Sequence, residues 1–146
     1  NCWFMNRVAL AGARRDQQQW NIIDNLILLF NDPSVEMASV ASTDLTSDDL
    51  INPNVVKVCL DDNNYALNFE RDIALQDQQY FRHIGIYAYR SEILKKFTNL
   101  DQTDNEKKFK LEQLRALDNN IAIKILITNF QHRSIDIKDD LKYYEV

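Results

Sequence analysis

Segments with a helical repeat of apolar residues alternate along the chain with short runs that are rich in β-branched residues. Apolar side chains recur every three or four positions over 17–33, which predicts a helix closed by the proline at its end. The apolar stretch 36–42 predicts a strand, and 46–53 predicts a one-turn helix with Ser47 as its N-cap. Two apolar runs flank a polar Asp-Asp-Asn-Asn turn within 55–71, a pattern typical of a β-hairpin.

Three more helices are predicted in the second half of the chain, over 91–100, 103–120 and 134–145. Ser91 is the expected N-cap of the first. The second carries Thr103 and Glu106 at capping-box spacing and has two asparagines at its end, so we expect one long helix there.

Two more strands are predicted, one over 81–90 and one over 121–128. The second is almost continuously apolar, which favours a strand buried within the sheet. Because helices and strands alternate, the predicted class is α/β with a mixed sheet.

The strand 81–90, FRHIGIYAYR, has two unlike faces. Alternate side chains of a strand share a face, so Ile84, Ile86 and Ala88 point together and suit a core. The opposite face has His83 and Tyr87, about 13 Å apart along a regular strand, with Gly85 between them. A glycine inside a strand often marks close approach to the backbone, which favours a ligand pocket here; a half-buried sheet surface is the plainer alternative.

Composition and charge limit the kinds of ligand and the cellular compartment that we expect. A chain of 146 residues fits one domain, and its net charge of −5 argues against nucleic acid while leaving room for a small anion held by local arginines. No apolar run reaches the roughly 20 residues that span a membrane. Two cysteines without metal-ligand spacing favour a reducing compartment, so we expect the cytoplasm. With two glycines in all, no glycine-rich phosphate loop is present.

Five segments, in order, resemble the C-terminal half of the 3-deoxy-manno-octulosonate cytidylyltransferases (CMP-Kdo synthetases). They are NPNVVKV at 52–58, ALNFER at 66–71, YFRHIGIYAYR at 80–90, KLEQLRAL at 110–117 and SIDIKDDL at 134–141. The resemblance runs from about residue 35 to the end of the chain. It implies a mostly parallel, mixed sheet flanked by helices, of the nucleotide-diphospho-sugar transferase type, with 1–146 as a single partial domain that lacks the N-terminal part.

The resemblance also implies an activity. The family transfers CMP from CTP to the sugar acid Kdo for lipopolysaccharide biosynthesis, releases pyrophosphate, uses Mg²⁺ and forms homodimers. Matching positions imply that the sugar is held by His83, Tyr87, Glu112 and Gln113, with Arg71 near its carboxylate. Asp136 matches a magnesium ligand, and Asp16 is a weaker candidate for a second one.

The chemistry of these residues suits a sugar acid, which needs mixed hydrogen-bond donors and acceptors and one cation. We expect His83, Tyr87, Glu112 and Gln113 to converge on one concavity, because the strand 81–90 and the helix 103–120 must pack together. Plainer alternatives exist for two of the residues. Glu112 and Arg115 could form a surface pair, and Asp136 could cap the last helix.

The chain also departs from the family. Glu70 stands where the family has a serine beside the arginine, and no segment matches the basic, glycine-rich loop that takes the CTP phosphates. We therefore expect that residues 1–146 alone do not turn over CTP and Kdo. The alternative is a non-catalytic relic or interaction subunit that keeps the fold.

Overall fold

The computed structural model describes residues 2–5, 8–11, 17–73 and 78–129, with side chains from residue 21 onward. The strands are β1 (Cys2–Met5), β2 (Val8–Ala11), β3 (Met37–Ser42), β4 (Lys57–Leu60), β5 (Ala66–Glu70), β6 (Tyr80–Arg90) and β7 (Ile123–Thr128). The helices are α1 (Gln17–Leu28), α2 (Ser47–Ile51), α3 (Ser91–Thr98), α4 (Asp104–Phe109) and α5 (Gln113–Asp118), and a 3₁₀ turn (Leu29–Asn31) extends α1. None of the helices in these ranges is long and apolar enough to cross a membrane.

The seven described strands form one mixed sheet, so the α/β class is confirmed. Its main path is β1-β2-β6-β3-β7, and β4 joins β6 to β5. The expectation of a mostly parallel sheet is wrong for the described strands, because β3 and β7 are parallel while every other pair is antiparallel. The short connection from β4 to β5 returns the chain directly, and this requires antiparallel neighbours.

Two hydrophobic clusters cover the two faces of the sheet, as the alternation along β6 predicts. On one face, Ile22, Ile23 and Leu26 of α1 pack with Ile84 and Ile86. On the other face, aromatic residues of the sheet pack against the helices that follow it, and the buried members include Phe69, Phe81, Tyr89, Phe97, Leu111 and Leu114. The sheet is therefore the middle layer of the fold.

Two helix caps differ from the predicted ones. The N-cap of α2 is Thr46, not Ser47, because the Thr46 hydroxyl accepts from the Asp49 amide and the Asp49 carboxylate accepts from the Thr46 amide. Ser91 is the first residue of α3, and the preceding Arg90 makes no capping bond. The Arg90 guanidinium is directed instead at three backbone carbonyls, those of Phe30, Asp32 and Val35.

The long helix predicted over 103–120 is broken into α4 and α5. Its capping box is confirmed at Thr103 and Glu106, but Lys110 has the left-handed backbone angles φ 55° and ψ 45° and ends the first piece. The carbonyls of Phe109 and Lys110 accept hydrogen bonds from Arg71, a contact from another part of the chain that holds the break open. The predicted terminal helix over 134–145 lies outside the described residues.

The predicted hairpin of β4 and β5 is confirmed. Its turn is held by the Asp61 carboxylate, which accepts from the amides of Asn63 and Tyr65, and Asn64 takes a positive φ of 62°. Cys59 lies within β4, which is paired with β5 on one side and β6 on the other. Its side chain is buried, and burial raises the pKa of the thiol.

Candidate functional site

A bulge in β6 brings His83 and Tyr87 together. Ser39 of β3 pairs with Tyr87 while its neighbour Val40 pairs with Ile84, so two residues of β6 have no partner in β3. Such a bulge bends the strand and redirects its side chains. The rings of His83 and Tyr87 have centroids 5.6 Å apart, so the wide gap expected between them is wrong.

Open space lies at the glycine itself. A Cβ placed on Gly85 would meet no atom within 4 Å, and the residue is exposed. The glycine therefore leaves its part of the strand uncovered beside the His83–Tyr87 ring contact. At this uncovered position a ligand could approach the backbone of β6.

The Ser39 hydroxyl occupies the inside of the bulge. Its oxygen lies 2.8 Å from the carbonyl oxygen of Ile86, 3.4 Å from that of Ile84 and 2.8 Å from His83 Nε2. Ser39 is fully buried in the middle of β3. The Ser39 hydroxyl therefore contacts both the bulge of β6 and the His83 ring, and it fixes both relative to β3.

Burial sets the protonation of both rings. His83 packs edge-on against Phe69, with centroids 4.9 Å apart, and burial lowers the pKa of His83 to about 3. Burial also raises the pKa of Tyr87, and the charges of Tyr89 and Glu112 add to the effect. At neutral pH the site therefore presents an uncharged imidazole and an uncharged phenol.

These side chains line a cavity of about 270 Å³. Pockets for drug-sized ligands run from about 300 to 1,000 Å³, so the cavity suits a monosaccharide-sized molecule. The lining residues are Asn54, Val55, Val56, Arg71, Arg82, His83, Gly85, Tyr87, Lys110, Leu111 and Gln113. Three of them are basic and none is acidic, which favours an anionic ligand in a chain whose net charge is −5.

Arg71 is fixed in the pocket wall by its own hydrogen bonds. The guanidinium donates to the carbonyls of Pro53, Phe109 and Lys110 at 3.1–3.2 Å. An arginine has five N–H donors, so two remain after these three. Arg71 therefore joins the loop before β4 to the break between α4 and α5 and still has donors for a ligand.

Lys57 supports the same wall from inside. Its side chain is fully buried, and its ammonium donates to the carbonyl of Asn52 at 2.7 Å and to that of Arg71. Burial lowers the pKa of this lysine. The backbone of Arg71 is thus anchored by Lys57 while its side chain anchors Phe109 and Lys110.

Four of the five residues predicted to hold a sugar line this one cavity: Arg71, His83, Tyr87 and Gln113. Glu112 does not line it; its side chain is exposed at the start of α5. The surface pair considered for Glu112 and Arg115 is wrong, since Arg115 instead binds Glu106 in a two-contact ion pair at 2.5 and 2.8 Å. The roles of the predicted residues in binding remain predictions.

Sequence reasoning missed two buried polar residues of the site. Ser39 lies in the run MASVAS and Lys57 in VVKVCL, both otherwise apolar strands. A polar side chain in such a strand must find a partner inside the fold, so its presence there is the signal that could have identified it. Arg82, which also lines the pocket, is paired with Asp49 at 2.7 Å.

Magnesium binding remains a prediction. In the ranges that the structure describes, no group of three or more His, Cys, Asp or Glu side chains is arranged to hold a metal ion. The predicted ligand Asp136 and the weaker candidate Asp16 both lie outside those ranges.

Residues 19–125 match the family model described as Cytidylyltransferase. The chain is 38% identical over 135 residues to the 3-deoxy-manno-octulosonate cytidylyltransferase of Thermodesulfovibrio yellowstonii, covering 85% of this chain and 53% of that protein. It is 42% identical over 129 residues to the protein of the same name from Chloroherpeton thalassium, covering 82% of this chain and 52% of the relative.

A solved structure shows the same fold. The CMP:2-keto-3-deoxy-manno-octonic acid synthetase complexed with CTP superposes with a TM-score of 0.76 at 25% identity, covering 85% of this chain and 54% of that one. The resemblance drawn from five sequence segments is thereby confirmed. The chain spans about half the length of the curated relatives it matches.

Proposed function

The chain belongs to the cytidylyltransferase family, and on that premise we propose that it is the sugar-binding part of an enzyme that transfers CMP from CTP to the sugar acid Kdo. The observation that supports this proposal is the basic cavity at the bulge of β6. It joins cations for a carboxylate with neutral groups for hydroxyls, and four of its lining residues match the family's sugar-binding positions.

In this proposal, the basic and the neutral residues of the cavity recognise different parts of the sugar acid. The two unused N–H donors of Arg71 and the ammonium of Lys110 take the carboxylate. The imidazole of His83, the phenol of Tyr87 and the amide of Gln113 exchange hydrogen bonds with the hydroxyls. Because the Arg71 guanidinium and the rings are held by backbone and packing contacts, they bind without first being ordered.

Phosphoryl transfer depends mostly on positioning and on stabilising charge at the phosphates. In the proposal, this chain supplies the binding site for the acceptor sugar. The groups that hold CTP lie in a part of the family pattern that has no counterpart in these 146 residues. Asp136 remains the proposed ligand for the Mg²⁺ that the family uses. We also propose, from the resemblance to the family, that the protein forms a homodimer, lies in the cytoplasm and serves lipopolysaccharide biosynthesis.

Calorimetric titration of the purified chain with Kdo tests the proposal. We expect saturable binding that is lost in His83→Ala and unchanged in Lys95→Ala, a control at an exposed position of α3 outside the cavity. In parallel, incubation with CTP, Kdo and Mg²⁺ should release no pyrophosphate above the rate without protein. Loss of even one donor to developing charge costs about 100- to 1,000-fold, and here the whole phosphate site has no counterpart.

Two results would contradict different parts of the proposal. Kdo-dependent pyrophosphate release would show a nucleotide site that the sequence does not reveal. A folded chain that does not bind Kdo, or that binds it equally well as His83→Ala, would overturn the sugar site and favour a non-catalytic role.

A further inference from the structure

The Ser39 hydroxyl has one proton and three close neighbours. Two of these are the carbonyl oxygens of Ile84 and Ile86, which can only accept hydrogen bonds, and the third is Nε2 of His83. The contact to Ile86 is 2.8 Å, which brings two oxygens together at hydrogen-bonding distance. The hydroxyl must supply the proton between them, because no other donor belongs to that pair.

In the hydrogen bond between Ser39 and His83, the histidine must then be the donor. With its proton directed at Ile86, the serine oxygen can only accept from His83 at 2.8 Å. Nε2 is therefore the protonated nitrogen. A neutral imidazole carries one proton, so Nδ1 has an open lone pair.

The open lone pair is accessible. In the described part of the chain, no side-chain nitrogen or oxygen is buried without a partner, and the imidazole makes its hydrogen bond through Nε2. His83 lines the cavity. Nδ1 is therefore available to a ligand bound there.

We infer that Ser39 is a positioning residue that holds the His83 imidazole as the Nε2–H tautomer and so presents Nδ1 to the cavity as a hydrogen-bond acceptor. An acceptor binds a hydroxyl and repels a carboxylate or phosphate oxygen. It therefore sets the direction in which a sugar acid enters: hydroxyls at His83, and the carboxylate at Arg71 and Lys110. The identity of the ligand rests on the proposed function, whereas the tautomer does not.

The tautomer is measured on the unliganded chain with isotope-labelled histidine, by long-range proton–nitrogen correlation spectra at pH 7. We expect His83 to show a protonated Nε2 and an unprotonated Nδ1. An Nδ1–H tautomer, or an imidazolium, would overturn the inference without any variant. His132, the second histidine of the chain, is the internal reference for the spectra.

The isosteric pair Ser39→Thr and Ser39→Val separates the hydroxyl from the shape of the side chain. Threonine should keep the wild-type spectrum, whereas valine should give a mixture of tautomers at His83 and no change at His132. Two variants that melt at the same temperature but show this difference would support the inference, and two with the same His83 tautomer would overturn it. A spectrum of this kind does not respond to a general loss of stability.

Kdo titration of the same pair links the tautomer to binding. We expect valine to weaken Kdo binding roughly 3- to 10-fold relative to threonine, the usual effect of one neutral hydrogen bond. Equal affinities would show that Nδ1 does not meet the ligand and would overturn that part of the inference. Failure of the wild-type chain to bind Kdo, with the Nε2–H tautomer intact, would overturn the proposed function alone.

Discussion

The two faces of β6 are built from the same strand and are held in different ways. On the α1 side, Ile84 and Ile86 are no more than 3% exposed and belong to an apolar cluster with Ile22, Ile23 and Leu26. On the cavity side, His83 and Tyr87 are half-buried and Gly85 is open. The first face is stabilised by burial of nonpolar area, and the second combines such burial, at Phe81 and Tyr89, with hydrogen bonds that position polar groups. A single strand therefore has one face that only packs in the core and one face that packs in the core and also lines the cavity.

The largest expected effect is on the apolar face. Ile84→Ala removes a side chain that is 1% exposed and should lower the free energy of unfolding by about 2–5 kcal/mol, because the cavity it leaves is only partly refilled. Ile84→Val is the matched control and should cost about 0.5–1.5 kcal/mol. Urea denaturation followed by circular dichroism measures both.

The contrast between the two faces of β6 would be contradicted if Ile84→Ala weakened ligand binding, as a substitution in the cavity should. We expect the folded fraction of Ile84→Ala to bind Kdo as the unaltered chain does. Weaker binding at full folding would mean that the two faces of β6 are mechanically coupled through the bulge.

A smaller effect is expected from pH on the cavity face. The pKa of His83 is lowered from 6.5 to about 3 in the folded chain, so below pH 6.5 the unfolded chain binds a proton that the folded chain does not. The free energy of unfolding should therefore fall as the pH drops through this range. Between pH 6.5 and 4.5 the loss is at most about 3 kcal/mol, since one proton contributes up to about 1.4 kcal/mol per pH unit.

His83→Gln tests this assignment, because it cannot titrate. Its stability should change less than that of the unaltered chain over the same interval. Carboxylates such as Glu106, whose pKa is lowered from 4.5 by its hydrogen bonds to Arg115, contribute mainly below about pH 5, and they act equally in both proteins. Identical pH curves for the two proteins would show that His83 is solvated in the folded chain.

The smallest effect on stability is expected at Gly85. In Gly85→Ala the new methyl meets no atom within 4 Å, and the unfolded chain loses freedom, so stability should rise by no more than about 1 kcal/mol. Kdo binding should nevertheless weaken, because the methyl enters the cavity. Thermal melting and calorimetric titration measure the two changes, and a variant that is both stabilised and fully competent in binding would place the sugar elsewhere.

Local patterns were enough for most of the fold. The periodicity over 17–33, the hairpin turn and the capping box at Thr103 each depend on neighbours in sequence, and each was predicted. The break at Lys110 was not, because the residues around it favour a helix. Arg71, nearly forty positions earlier in the chain, binds the carbonyls there and overrides that preference.

The site was predictable only in part for a similar reason. Matching motifs predict a sugar-binding role for Arg71, His83, Tyr87 and Gln113, which line one cavity, but the spacing of a regular strand places His83 and Tyr87 too far apart. Their contact depends on how β6 pairs with β3, and one strand's sequence does not specify the register of its partner. The partners of Ser39 and Lys57 could not be predicted, because most of them are backbone carbonyls brought close only by the fold.

The buried thiol of Cys59 can serve as an intrinsic probe of local opening around β4. The thiolate is the form of cysteine that attacks alkylating reagents, and burial both shields Cys59 and raises the pKa of its thiol. Alkylation at this position must wait for a local opening that exposes the side chain, which is 4% exposed in the folded chain. The rate of labelling at Cys59, under native conditions and without denaturant, therefore measures how often the surroundings of this side chain in β4 open.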